Sequence, residues 1–133
     1  MSAPRQLREL PRAAGAALAR PVLTLRAACL GLACLILSLL YGMARQAGQV
    51  QLGDWDKVAH AATYGMIAVL LTVALKPQRA LFAAALTSLA GLIDELHQVT
   101  VPGRSADLKD WLADTIAAVA AVLLLRWFAA RQS

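Results

Sequence analysis

The chain is short of most things a water-soluble domain relies on. Charged residues are 16% of its 133, against the quarter or so usual in soluble domains, while apolar residues reach 59%. That is too little charge to cover the chain in water. It is also far too apolar for a disordered chain, whose signature is low hydrophobicity. The 2 cysteines cannot form the framework of a disulfide scaffold, and no zinc-type spacing accompanies them. Cys29 and Cys34 sit in one apolar run on different helical faces and read as small apolar fillers. There is no HExxH, no GxSxG, no glycine-rich phosphate loop and no internal repeat. Nor is there an obvious nucleophile, since Ser105 has no base beside it in sequence and Ser88 lies inside an apolar run. A single-domain membrane protein is the class left standing.

What is present supports it. A bilayer crossing takes about 20 mostly apolar residues. Candidate spans run from Ala27 to Ala44, from Val58 to Leu75, from Ala80 towards Val101, and from Trp111 to Ala129. The first is longer than the 7–15 residues of a signal-peptide core and lies behind a long basic stretch, so it reads as an uncleaved helix. The expected architecture is all-α, a bundle of four transmembrane helices: a basic segment at 1–26 and the membrane domain at 27–133.

Basic residues set the expected orientation. Nine of them (Arg5, Arg8, Arg12, Arg20, Arg26, Lys76, Arg79, Arg126 and Arg131) fall on the side of both termini and the middle loop, and four (Arg45, Lys57, Arg104 and Lys109) on the other. This bias predicts cytoplasmic termini in a bacterial inner membrane. The formal charge of +5 is then an arginine anchor for anionic lipid, not a nucleic-acid surface. Seven of the eight acids lie on the opposite, outer side. Tyr41, Trp55 and Trp111 are placed as an outer aromatic belt, with Phe82, Trp127 and Phe128 as the inner one. Ala83, Thr87 and Gly91 on the third span, and Ala113, Ala117 and Ala121 on the fourth, are candidate helix-contact stripes.

The informative residues are those that do not belong in a membrane. Asp56, His60 and Tyr64 recur at i, i+4, i+8, one stripe bordered by Lys57. Asp94, Glu95 and Gln98 share a face of the third span, and Asp107, Asp110 and Asp114 share one on the fourth. If the third span ends near Val101, Asp94 lies roughly 10 Å inside it. A charge at such depth costs about 2.5–3.5 kcal/mol even on permissive scales. Several facing lipid separately would overwhelm the apolar gain, so they are expected to converge on one another, on His60, Lys57 and Arg104, or on water. In the loop before the fourth span, Pro102 and Gly103 turn the chain and Ser105 is the expected N-cap. His97, one residue off the Asp94 face, reads as a boundary residue.

Three chemistries stay open for such a cluster. Several carboxylates near a histidine suit a divalent cation. They also suit acid–base work, with His60 as acid or base and Asp94 and Glu95 orienting it. Or they could grip a cationic or hydrogen-bonding group of a lipid or cell-wall ligand. Arg104 is the candidate for an anionic ligand group.

The segment Asp56-Lys57-Val58-Ala59-His60-Ala61-Ala62-Thr63-Tyr64 resembles the DKxxHxxxY signature of VanZ-like membrane proteins. Asp94-Glu95-Leu96-His97-Gln98, with Pro102-Gly103-Arg104-Ser105-Ala106-Asp107 and Asp110, resembles that family's second block. The family often has Asn where this chain has Asp114, and Gly where it has Ala117. The resemblance implies a cell-envelope role, since the family's namesake is associated with low-level resistance to teicoplanin, which acts outside the bacterial membrane. The resulting expectation is an outward polar pocket that binds or modifies a lipid-linked or peptidoglycan-related ligand. The rivals are an assembly partner whose polar network only fixes helix packing, and a small multidrug-type transporter. The identity of any ligand, the cofactor and the oligomeric state are left open by the sequence.

Overall fold

The computed structural model describes residues 6–47, 54–102 and 104–132. Four α-helices follow one another: α1 (Gln6–Ala47), α2 (Asp54–Leu75), α3 (Ala80–Gln98) and α4 (Leu108–Arg131). All four are long and apolar enough to cross a membrane, over Arg20–Met43, Lys57–Leu75, Pro77–Gln98 and Leu108–Arg131. No strand occurs among the described residues. The fold is the expected all-α bundle. α1 runs without a break through the 26/27 boundary expected between basic segment and membrane domain.

α2 is the centre of the molecule. It touches each of the other helices, whereas α1 leans chiefly on α2 and meets α3 only slightly. The α2–α3 link is short because Pro77 opens a single 3₁₀ turn, Pro77–Arg79, closed by the Arg79 amide donating to the Lys76 carbonyl at 2.9 Å. Lys76 before it has φ 92°, a conformation only glycine adopts freely. The Arg26 side chain of α1 donates from Nε to the Ala74 carbonyl at 2.7 Å, satisfying one of the acceptors a helix end leaves open.

Helix approach rests on small side chains. Ala68, Ala80, Ala84, Ala118 and Val122 form one buried cluster among α2, α3 and α4. Gly65 of α2 faces Ala117 and Ala121, so that a Cβ there would lie 3.6–3.7 Å from their atoms. The stripe Ala83, Thr87 and Gly91 is buried, as its spacing predicts. On α4 the buried residues are Asp114, Ala118 and Val122, one position along from the expected alanines, of which Ala117 and Ala121 abut Gly65. Large apolar side chains such as Leu23, Leu35, Leu39, Leu81, Leu89, Ile116 and Leu124 point outward on every side, the surface a bilayer would cover.

Candidate functional site

Each of α2, α3 and α4 carries its polar stripe at the same end. On α2, side-chain exposure falls inward, from 51% at Lys57, which borders the stripe, through 16% at His60 to a fully buried Tyr64. The stripe therefore opens at the helix ends and closes inward. The last turns of α3 bury Asp94, Glu95 and Gln98 at 4%, 5% and 6% exposure, as deep as the surrounding alanines. On α4, Asp107 and Asp110 are half-buried and Asp114 is 2% exposed.

The stripes meet. His60 Nδ1 stands 3.6 Å from an Asp114 oxygen, and Lys57 Nζ 3.6 Å from Asp110, tying α2 to α4. Glu95 accepts the Asp107 backbone N–H at 2.8 Å, tying α3 to the start of α4. Gln98 donates to Asp94 at 3.2 Å and to Glu95 at 3.5 Å. Tyr64 lies in the field of Asp94 and Asp114, and its ring is 6.1 Å from that of His60. Arg104 is half-buried in the connecting loop, where its amide donates to the Val101 carbonyl at 3.1 Å. Asp56 heads the stripe on α2, but its side chain, like Gly103, lies outside the described residues.

Local structure explains the entry into α4. Asp107, not Ser105, is the N-cap: its backbone is extended and its carboxylate accepts the Lys109 N–H at 2.8 Å. Ser105 is exposed and two residues too early. Asp107 thus serves both sides of the junction, its side chain starting α4 while its own N–H is held by Glu95.

Other partners have weak sequence signals. Trp111, placed in the aromatic belt by sequence, is half-buried and donates from Nε1 to the Ser88 carbonyl at 3.0 Å. The Ser88 and Thr115 hydroxyls are 2.7 Å apart, a polar contact between α3 and α4. Gly91 makes room for all of this, since a Cβ on it would come within 3.6–3.8 Å of Trp111, Tyr64 and Asp114. Tyr41 turns inward, donating to the Ala90 carbonyl at 2.9 Å, and His97 packs edge-on against it at 5.8 Å. His97 is half-buried in the last turn of α3. Polar or aromatic residues inside otherwise apolar spans are the only sequence hint of these pairs.

Chemically, the arrangement offers clustered carboxylate acceptors, one histidine beside a buried acid, and a lysine at the mouth. Among the described residues no group of three or more His, Cys, Asp or Glu side chains is arranged to hold a metal ion. Beside the stripe, an apolar crevice of about 290 Å³ between α1 and α2 is lined by Ile36, Leu39, Leu40, Met43, Thr63 and Met66.

The profile of the VanZ/LLP1 family matches residues 21–129, which takes in all of these polar side chains. No curated protein and no solved structure matches the chain.

Proposed function

The chain belongs to the VanZ/LLP1 family of membrane proteins, and from that premise and the geometry of the polar end we propose that it acts in the bacterial cell envelope, glycopeptide (teicoplanin) resistance included. In this reading Asp56, Lys57, His60, Tyr64, Asp94, Glu95, Gln98, Arg104, Asp107, Asp110 and Asp114 form an outward pocket for a lipid-linked or peptidoglycan-related ligand. One observation carries it: polar stripes from three helices meet at one end, with exposure graded from an open Lys57 to a buried Tyr64. Independent charges facing lipid would have no reason to be graded in this way. The chain then lies in the inner membrane with both termini in the cytoplasm. His60 beside Asp114 would move a proton if turnover occurs, with Asp94 and Glu95 shaping its surroundings; Arg104 would hold an anionic group of the ligand. The apolar crevice between α1 and α2 suits the hydrocarbon part of a lipid-linked ligand.

The test is a set of single variants, His60→Ala, Asp94→Asn and Arg104→Ala, expressed in the parent bacterium. Loss of the envelope or glycopeptide phenotype in variants that keep wild-type abundance and melting supports the reading. An intact phenotype in all three overturns it. Cysteines placed at Ser105 and at Gln78, in a background freed of Cys29 and Cys34, check orientation with an impermeant maleimide: labelling of intact cells at Ser105 alone is expected, and labelling at Gln78 alone reverses the topology.

A second reading, a network that only fixes helix packing, is favoured by the Glu95–Asp107 hydrogen bond and the Lys57–Asp110 ion pair, which join successive helices. Under it, the same variants lose abundance and melting together.

A further inference from the structure

The carboxylates on α4 are short of donors. Asp114 is 2% exposed, yet neither of its oxygens accepts a hydrogen bond, and the buried Oδ1 of Asp110 accepts none. The nearest basic groups, the His60 imidazole beside Asp114 Oδ2 and the Lys57 ammonium beside that Asp110 Oδ1, each stand at 3.6 Å, beyond hydrogen-bonding distance. A separate side chain lies beside the gap: Tyr64 is fully buried, its hydroxyl makes no hydrogen bond of ordinary geometry, and it lies in the field of Asp94 and, more weakly, of Asp114. A carboxylate can accept about four hydrogen bonds, and buried ones in native proteins rarely go without. The deficit is local. Glu95 and Asp107 each accept a backbone N–H, and Asp94 accepts from Gln98. Asp110 and Asp114 are one turn apart on one face of α4, so their unmatched oxygens share one place.

We propose that this place takes a primary ammonium group, whose three N–H donors match the two oxygens of Asp114 and the Oδ1 of Asp110. The proposal rests on reading the polar end as a ligand site and narrows that ligand to an amine-bearing one. A metal ion suits the place less, because no group of three or more His, Cys, Asp or Glu among the described residues is arranged for it. An anion is repelled, and a quaternary ammonium brings charge but no donor. The amine could arrive on a lipid headgroup, sliding in from the apolar surface, or from water, past Lys57 at the mouth.

The test uses the purified, delipidated full-length chain. Native mass spectrometry measures retention of phosphatidylethanolamine, phosphatidylcholine and phosphatidylglycerol, and melting is followed with free ethanolamine. Charge-assisted hydrogen bonds set the expected preference for phosphatidylethanolamine at about tenfold or more over the other two. Asp114→Asn should abolish the preference and Asp110→Asn reduce it, with wild-type melting; if the first variant does not fold, the second decides. Stabilisation by ethanolamine without any lipid preference, lost in the same variants, supports the proposal with a water-borne source. Equal retention of phosphatidylethanolamine and phosphatidylglycerol, with no effect of ethanolamine, overturns it. If Arg104→Ala then still strips bound lipid, only the ammonium is wrong and the polar end remains a ligand site. If no variant changes retention of any lipid, the reading of that end as a site falls with it.

Discussion

Both ends of the α2–α3–α4 trio bury side chains between helices, and the two are differently held. Towards the basic end, Ala68, Ala80, Ala84, Ala118 and Val122 close the space between helices with side chains that need nothing but contact. At the polar end, Asp94, Glu95, Gln98 and Asp114 are buried to nearly the same degree, yet Asp114 accepts no hydrogen bond. In lipid, apolar side chains gain nothing by leaving one apolar phase for another, so helices associate through close contact of small residues and through polar pairs. The alanine end is complete in itself. The polar end is left partly unmatched, and the proposed ligand site rests on that difference.

That contrast can be broken by substitutions on either side. The largest change in stability belongs to the alanine end: Ala118→Leu forces α2 and α4 apart and should cost about 2 kcal/mol in detergent unfolding, with ligand retention unchanged in the folded fraction. Next comes the junction. Asp107→Ala removes the cap of α4 while leaving the backbone N–H that Glu95 holds, for a loss of about 1 kcal/mol in the same unfolding curve. A smaller effect of opposite sign is expected for Gly65→Ala, where the new Cβ meets its neighbours at ordinary contact distance, 3.6–3.7 Å. Melting should rise by the equivalent of roughly 0.5–1 kcal/mol, since glycine is a poor helix former. A fall instead would mean that α2 and α4 are closer than described.

The sequence made some of this legible and hid the rest for identifiable reasons. Asp56, His60 and Tyr64 could be placed on one stripe bordered by Lys57 because helical periodicity is rigid, and the price of lone charges in lipid required the stripes of three spans to meet. Asp107 could not be distinguished from Ser105 as the cap, because the choice depends on Glu95, twelve residues earlier, catching the Asp107 amide. Trp111 and Tyr41 read as belt residues since amphipathic rings favour interfaces; their inward turn depends on room beside Gly91 and on the carbonyl of Ala90. The seam of α4 includes the expected Ala117 and Ala121, which meet Gly65, while its most buried residues, Asp114, Ala118 and Val122, lie one position along. The peripheral place of α1 had no signal at all, as its span carries no polar stripe to aim it.

The most direct test of a polar end shaped for a guest is the unfolding free energy of Asp114→Asn beside that of the parent, in the same detergent and without added lipid. A carboxylate without donors loses little when it becomes an amide of the same shape. The account predicts a change within about 0.5 kcal/mol, or a gain, together with loss of the envelope phenotype. A loss of about 3–5 kcal/mol, the size expected when one partner of a buried ion pair is removed, would make Asp114 a packing element and contradict it.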